Sequence, residues 1–403
     1  MGGLTRVLVV GPLEGYVDGF RADLAALGYS PRTSEAQLYL LQHLSGWLAV
    51  RGLAVGDLTP EVVEEFLIAR RGRYSNLRSV RALAPLLRYL RGRGAVPAAP
   101  VVPPVGAAAV LAERFAAYLS TQRGLAPDTV RSYTCQVRPF LDRYASVEGG
   151  WGSLTARQVT DFVTDRAAAQ RPRSVAVGAN ALRTLLRWLW GEQILQASLV
   201  DVVGSVAAST GASVPRALSR DQVRDLFAAL PATGPVRLRD EAMLALMHRL
   251  GLRAGEVASL RLDDIDWRTG VLLVRGKGGR LEQLPVPVDV GKLLAGYLRR
   301  GRPQHTAHRQ VFLAVDAPHD ALAGSAVTSV AFRALSRAGI AGPGAAHRLR
   351  HTTACRVVAQ GGGLAEAGQL LRQASPAATA IYAKADLRML AVLARPWPAE
   401  VTL

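Results

Sequence analysis

Apolar residues recur along most of this chain with a helical period. Val62, Val63, Phe66 and Leu67 fall on one side of a 3.6-residue repeat, the spacing of a helix that buries one face. Ser30 and Thr59 stand where helix N-caps belong, each followed by a proline, Pro31 or Pro60, suited to the first helical position. The pattern also repeats. "GYSPRTSEAQLYLLQHLSGWL" at 28–48 aligns with "GLAPDTVRSYTCQVRPFLDRY" at 124–144, and "GDLTPEVVEEFL" at 56–67 with "GSLTARQVTDFV" at 152–163, both at an offset of 96. "RALAPLLRYL" at 81–90 aligns with "NALRTLLRWL" at 180–189, the offset having grown to 99. A shared offset held through two blocks and then shifted by a small insertion marks an internal repeat. Each copy is expected to be a bundle of about four helices.

Two linkers punctuate the chain: the Pro/Ala-rich "AVPAAPVVPPVGAA" at 95–108 and the small-residue "GSVAASTGASVP" at 204–215. They predict an N-terminal helical unit over 1–94, a second over 109–203 and a third segment over 216–403. The third is mixed. Leu244 to Leu250 reads as a helix stopped by Gly251, and "VLLVRGKGGRLEQLPVP" as strand, tight glycine turn and strand. Helices follow it, so the fold class expected is mainly α with a small antiparallel β element.

Charge narrows the field more than composition does. Hydrophobic residues are 49% of the chain, enough for buried cores, and sparse aromatics (6%) beside abundant alanine, leucine, valine and arginine favour a mostly helical protein. Lys and Arg number 49 against 31 Asp and Glu, a net charge of +18. That excess points to a polyanionic partner, nucleic acid before an acidic membrane surface. Cys135 and Cys355 form neither a disulfide framework nor a metal-ligand spacing, and "RVLVVGPLEG" is too short and too broken to span a membrane. A soluble cytoplasmic protein is expected.

Four windows could carry chemistry. In "HRLGLRAGEVASLRLDDIDW", Arg253 and Glu256 lie three apart, which by itself favours a surface ion pair over a guanidinium oriented for a phosphate. Lys277 sits at the tip of the glycine turn with Arg280 beside it, either as a solvated lysine or against a ligand that the glycines let approach; the spacing is not that of a nucleotide-binding loop. In "GAAHRLRHTTACRVVAQGG", His347 and Arg350 share one helix face, which fits a structural histidine or a phosphate contact equally. Finally, Tyr382 follows Gln373 by nine residues in "LLRQASPAATAIYAKAD", beyond a helix break at Pro376.

Together, "GLRAGEVASL", "GKGGRLEQLPV", "HRLRHTTA" and the late tyrosine resemble the tyrosine recombinase (phage integrase) family in order and spacing: 24 residues from Arg253 to Lys277, 23 from Arg350 to Gln373, nine from Gln373 to Tyr382. The resemblance covers the whole third segment. The second segment looks like the family's helical core-binding domain, and the first like an atypical second copy of it. What the resemblance implies is a site-specific DNA recombinase working through a covalent 3′-phosphotyrosine, for integration, excision or transposition of a mobile element. Tyr382 would be the nucleophile, Arg253 and Arg350 the phosphate clamps, Lys277 the general acid and His347 an assistant in proton transfer, with Glu256 in support. One position departs from the family: Gln373 stands where a histidine or tryptophan is usual. An amide donates a hydrogen bond but carries no proton charge, so reduced activity or dependence on a partner protein is expected.

The resemblance implies no metal or other cofactor. Asp263, Asp264 and Asp266 could suggest a metal-dependent transposase, but the family carries a similar acidic turn, and a turn-capping role is expected of Asp263 or Asp264. The implied partners are a double-stranded DNA site and other copies of the chain, a tetramer in the synapse, with further recombinases as an option and no membrane. Arg81, Arg88, Arg91 and Arg93 could extend the DNA footprint or form a solvated basic helix. The apolar stripe after Tyr382 packs either on its own domain or on the next protomer. Two alternatives stay open: a type IB topoisomerase-like enzyme, and a catalytically silent DNA-binding regulator, for which Gln373 is the argument.

Overall fold

The computed structural model describes residues 8–98, 105–145, 150–204, 217–304 and 306–373. They fall into two compact units, one from 1–99 together with 214–403, the other from 100–213.

The first unit begins with four helices: α1 (Val17–Ala26), α2 (Pro31–Arg51), α3 (Pro60–Arg71) and α4 (Val80–Gly92). Their starts are set as the sequence predicts. The Ser30 hydroxyl accepts from the Thr33 amide and the Thr59 hydroxyl from the Val62 amide, with Pro31 and Pro60 at the first turn. Such caps supply partners for amides that the helix itself leaves unpaired, a gain of about 1 kcal/mol each. Val63, Phe66 and Leu67 are buried against Phe20, Leu44 and Leu86, and Val62 packs at the margin of the same core.

In the second unit, α5 (Ala107–Thr121), α6 (Pro127–Tyr144), α7 (Ala156–Ala169) and α8 (Pro172–Gly191) form the other four-helix bundle. The repeat is visible in three dimensions, since Pro127 opens α6 as Pro31 opens α2 and Thr155 caps α7 as Thr59 caps α3. Phe115 lies 5.5 Å from Trp188, and Phe140 meets Phe162 edge-on at 5.0 Å, filling the centre with aromatic area. Cys135 lies in α6 and Cys355 in a C-terminal helix, both as free thiols.

The remainder of the first unit carries α9 (Arg220–Ala228), α10 (Pro235–Arg249), α11 (Ala254–Ser259), β1 (Ile265–Asp266), β2 (Val271–Arg275), β3 (Leu281–Pro285), α12 (Val288–Arg300), α13 (Gly324–Arg337), α14 (Ala345–Ala359) and α15 (Leu364–Leu370). The sheet is antiparallel in the order β1-β2-β3, with Arg275 opposite Leu281 and Val274 opposite Glu282. Helix α10 is the spine, packed against α11, α12, α13 and α14. It starts nine residues before the expected Leu244, at Pro235. The polar run at its start conceals this helix from a periodicity argument, because Arg239 and Asp240 are buried as an ion pair, with Arg239 also donating to the Leu313 carbonyl. Strand β1, only two residues long, is too short for a pattern and was not anticipated. Among the described residues no helix is long and apolar enough to cross a membrane.

Candidate active site

Helix α10 ends at a turn whose chemistry determines the site. Gly251 has φ +61, a left-handed conformation that suits glycine, and a Cβ there would sit 2.5 Å from Leu371 Cδ2. That close approach brings the segment after α15 against the turn between α10 and α11. Thr353 on α14 closes the same corner by donating to the His248 carbonyl at 2.6 Å.

Arg253 follows immediately, as N-cap of α11. Glu256 Oε2 accepts the Arg253 backbone N–H at 2.8 Å, and Oε1 accepts its guanidinium Nη1 at 2.7 Å. The expectation of a surface ion pair from this window is corrected: the Glu256 side chain is only 4% exposed, whereas Arg253 is 37% exposed and keeps one side of its fork available. The carboxylate also accepts from Arg372 Nη2 at 2.6 Å, so one buried glutamate holds two arginines. Burial works to raise the Glu256 pKa, but Arg372, the Arg253 backbone amide and the Arg253 guanidinium outweigh it and bring the pKa below its ordinary value.

Arg350, on α14, is 4% exposed and donates to the Gly251 and Leu371 carbonyls, tying both flanks of the corner together. His347 lies one turn earlier on the same helix and is exposed, with its ring 6.4 Å from that of His351. The His351 pKa is lowered, first by burial and then by the charges of His347 and Arg350. Gln373 is half-buried, and its backbone amide donates to the Gly368 carbonyl at 3.0 Å. The corner thus gathers Arg253 and Glu256 from α11 and Arg350 from α14, with Gln373 two residues beyond the Leu371 carbonyl that Arg350 holds. Lys277 is placed by its backbone in the β2–β3 turn, and Arg280 is exposed at the start of β3. Tyr382 and the apolar stripe after it lie outside the described residues. Arg81, Arg88 and Arg91 lie on α4, outside this cluster.

The acidic turn does what a turn needs. Asp264 accepts the Arg261 amide at 2.8 Å and pairs with Arg275; Asp266 accepts the Arg268 and Thr269 amides; Asp263 pairs with Arg309. Among the described residues no group of three or more His, Cys, Asp or Glu side chains could hold a metal ion.

Two residues of the corner were not singled out from sequence: Arg372, and Glu282 on β3, which lies 3.7 Å from it. Their only sequence signal is an arginine beside Gln373, and nothing local shows that it turns inward.

The pattern of the phage integrase family matches residues 216–388, and that of the phage integrase N-terminal SAM-like domain matches 112–193. An integrase/recombinase of Sinorhizobium fredii, y4rA, is 36% identical over 97% of this chain and 96% of its own length. The tyrosine recombinase XerD of Ralstonia nicotianae is 31% identical, over 70% of this chain and 91% of its own. Among solved structures, the XerH recombinase in a post-cleavage complex with its difH substrate superposes with a TM-score of 0.57 at 16% identity, over 70% of this chain and 83% of that one. A lambda integrase dimer on a core site gives a TM-score of 0.52 at 16% identity, over 81% and 91%. These two share the fold. With both domain patterns present in order and a relative matched end to end, the chain belongs to the phage integrase family, the tyrosine-type site-specific recombinases.

Proposed function

We propose that this recombinase cuts and rejoins duplex DNA with Tyr382 as nucleophile, in a site built by Arg253, Lys277, His347, Arg350 and Gln373. The observation that carries the reading is the corner where Glu256 and the Gly251 and Leu371 carbonyls fix two guanidinium groups. Planar forks held from behind suit the non-bridging oxygens of a phosphodiester and the charge that builds on them at the transition state.

The Tyr382 oxygen attacks phosphorus, the P–O5′ bond breaks, and the DNA 3′ end becomes a phosphotyrosine. The tyrosine loses its proton with the help of His347, and the departing 5′ oxygen gains one from Lys277. Gln373 donates a neutral hydrogen bond to the phosphate. Attack of a 5′ hydroxyl on the phosphotyrosine reverses these steps, so rejoining needs no nucleoside triphosphate. Arg280 and the α4 arginines would add phosphate contacts, and binding would weaken steeply with salt. We infer that the chain acts in the cytoplasm and as an oligomer on DNA; a lambda integrase tetramer on a Holliday junction has the same fold at a TM-score of 0.52.

The test is a denaturing gel of full-length protein with nicked duplexes from the DNA flanking its gene, beside Tyr382→Phe. An adduct with the wild type alone supports the reading. Salt-sensitive binding by both proteins with no adduct, even with other recombinases added, favours the second reading, a silent DNA-binding regulator, for which the amide at Gln373 is the specific observation.

A further inference from the structure

Arg372 holds a backbone conformation that glycine adopts more readily. Its φ is +53, in the left-handed region where glycine is the default and a large side chain is disfavoured by about 1 kcal/mol. Yet its side chain is 4% exposed and well occupied. Nη2 donates to Glu256, and Nη1 to the Leu370 carbonyl at 3.1 Å. Nε is different: it is buried, has no hydrogen-bond partner among the described residues, and faces Glu282 Oε2 at 3.7 Å. A buried N–H without a partner is costly, and a shift of Glu282 by roughly 0.8 Å would complete the bond. Glu282 lies on β3, opposite Val274, in the hairpin that carries Lys277.

We propose that Arg372 is a positioning residue that latches the β2–β3 hairpin, and with it Lys277, to the carboxylate holding Arg253. One guanidinium then bridges Glu256 and Glu282, so the groups that hold the phosphate and the group that protonates the leaving oxygen share a single anchor. The backbone strain at residue 372 is offset by that bridge. The consequence for catalysis rests on the reading of Lys277 as general acid given above.

The experiment compares full-length wild type, Arg372→Gly, Glu282→Gln and Lys277→Ala in two assays. Glycine suits the backbone at 372, Arg253 still pairs with Glu256 in that variant, and Glu282→Gln leaves the Arg372–Glu256 pair intact, with α13 reporting any general loss of stability. Hydrogen exchange without DNA is followed across residues 271–285 and, as a reference, across α13. The latch predicts hairpin exchange roughly two- to fivefold faster in Glu282→Gln, with α13 unchanged, and in Arg372→Gly, which also takes a counter-charge from Glu256, an acceleration of the hairpin greater than that of α13. Unchanged hairpin exchange, or equal acceleration everywhere, overturns the latch.

The second assay measures cleavage of the duplex that gives the wild-type adduct, with oxygen or sulfur bridging to the 5′ carbon at the scissile phosphate. A thiolate leaves without protonation. Arg372→Gly is expected to be slowed about tenfold more on oxygen than on sulfur, any loss through Arg253 being common to both substrates, with Lys277→Ala showing the same rescue after a larger loss. Equal slowing of Arg372→Gly on both substrates, with Lys277→Ala rescued, overturns the link to Lys277. If Lys277→Ala is not rescued either, the general-acid reading falls and the link with it, while hairpin exchange still decides the latch.

Discussion

Replacing Glu256 with glutamine removes one negative charge from between two guanidinium groups and changes little else in shape. The amide oxygen can keep the Arg253 backbone N–H and Arg372, which converge on Oε2 at 2.8 and 2.6 Å. Its NH2 then faces the Arg253 guanidinium, donor against donor. Arg253 is 37% exposed and can turn to water, so that half of the loss is worth less than about 1 kcal/mol. Arg372 is 4% exposed and cannot. A wholly uncompensated buried charge costs about 3–5 kcal/mol; Arg372 keeps only Glu282, 3.7 Å away and partly exposed, so a loss of about 2–3 kcal/mol of unfolding free energy is expected. Urea is the appropriate denaturant, since guanidinium chloride would screen the ion pairs. The loss is read from hydrogen exchange of α10 and α14 amides against urea concentration, because the chain holds several separate cores. In Glu256→Gln/Arg372→Gly both charges are gone, and about 2–3 kcal/mol should be regained relative to the sum of the single variants. The wild-type carboxylate has its pKa lowered on folding, so its advantage is present above the unfolded value near 4.5 and is lost as the pH falls through the folded value. The gap between wild type and variant should therefore close in acid. A loss below about 1 kcal/mol, or strict additivity in the double variant, would refute the claim that Glu256 is a buried keystone.

Residues near this corner and in the second bundle give further tests. His248 is held neutral by burial, and then by Arg356 and Arg249, so its pKa is lowered to about 4. The unfolded chain binds that proton first. Stability is thus full above the unfolded pKa near 6.5 and declines by up to about 3 kcal/mol as the pH falls toward 4; His248→Asn should flatten this limb of a urea pH series. Gln373→His restores a group able to carry a proton charge near the phosphate, and adduct formation should rise about tenfold, read as initial rate on a nicked duplex. Phe115→Ala empties the core of the second bundle against Trp188 and should cost that bundle about 3–5 kcal/mol, seen by hydrogen exchange in α5 and α8, with α10 unaffected.

What could be read from sequence was local or repeated. The caps at Ser30 and Thr59, the glycine after α10 and the β2–β3 hairpin are each specified within a few residues, and the two bundles announced themselves by their shared offset. The order of Arg253, Lys277, Arg350 and Gln373 was legible because family spacing fixes it. The misses are tertiary. The first half of α10 hides because its arginine and aspartate are paired inside the protein. The burial of Glu256 depends on Arg372, which lies 116 residues away in sequence. Arg372 itself was passed over because a positive φ and an inward-facing side chain leave no trace in a window of sequence.

The central claim is that Tyr382 becomes joined to a DNA 3′ phosphate. The direct measurement is peptide mass spectrometry of the covalent complex after nuclease and trypsin digestion. Cleavage after Arg372 and Lys384 isolates "QASPAATAIYAK", which holds Ser375 and Tyr382 in one peptide. The account predicts a phosphonucleotide on Tyr382. The same mass carried by Ser375, or by a tyrosine elsewhere in the chain, would contradict it.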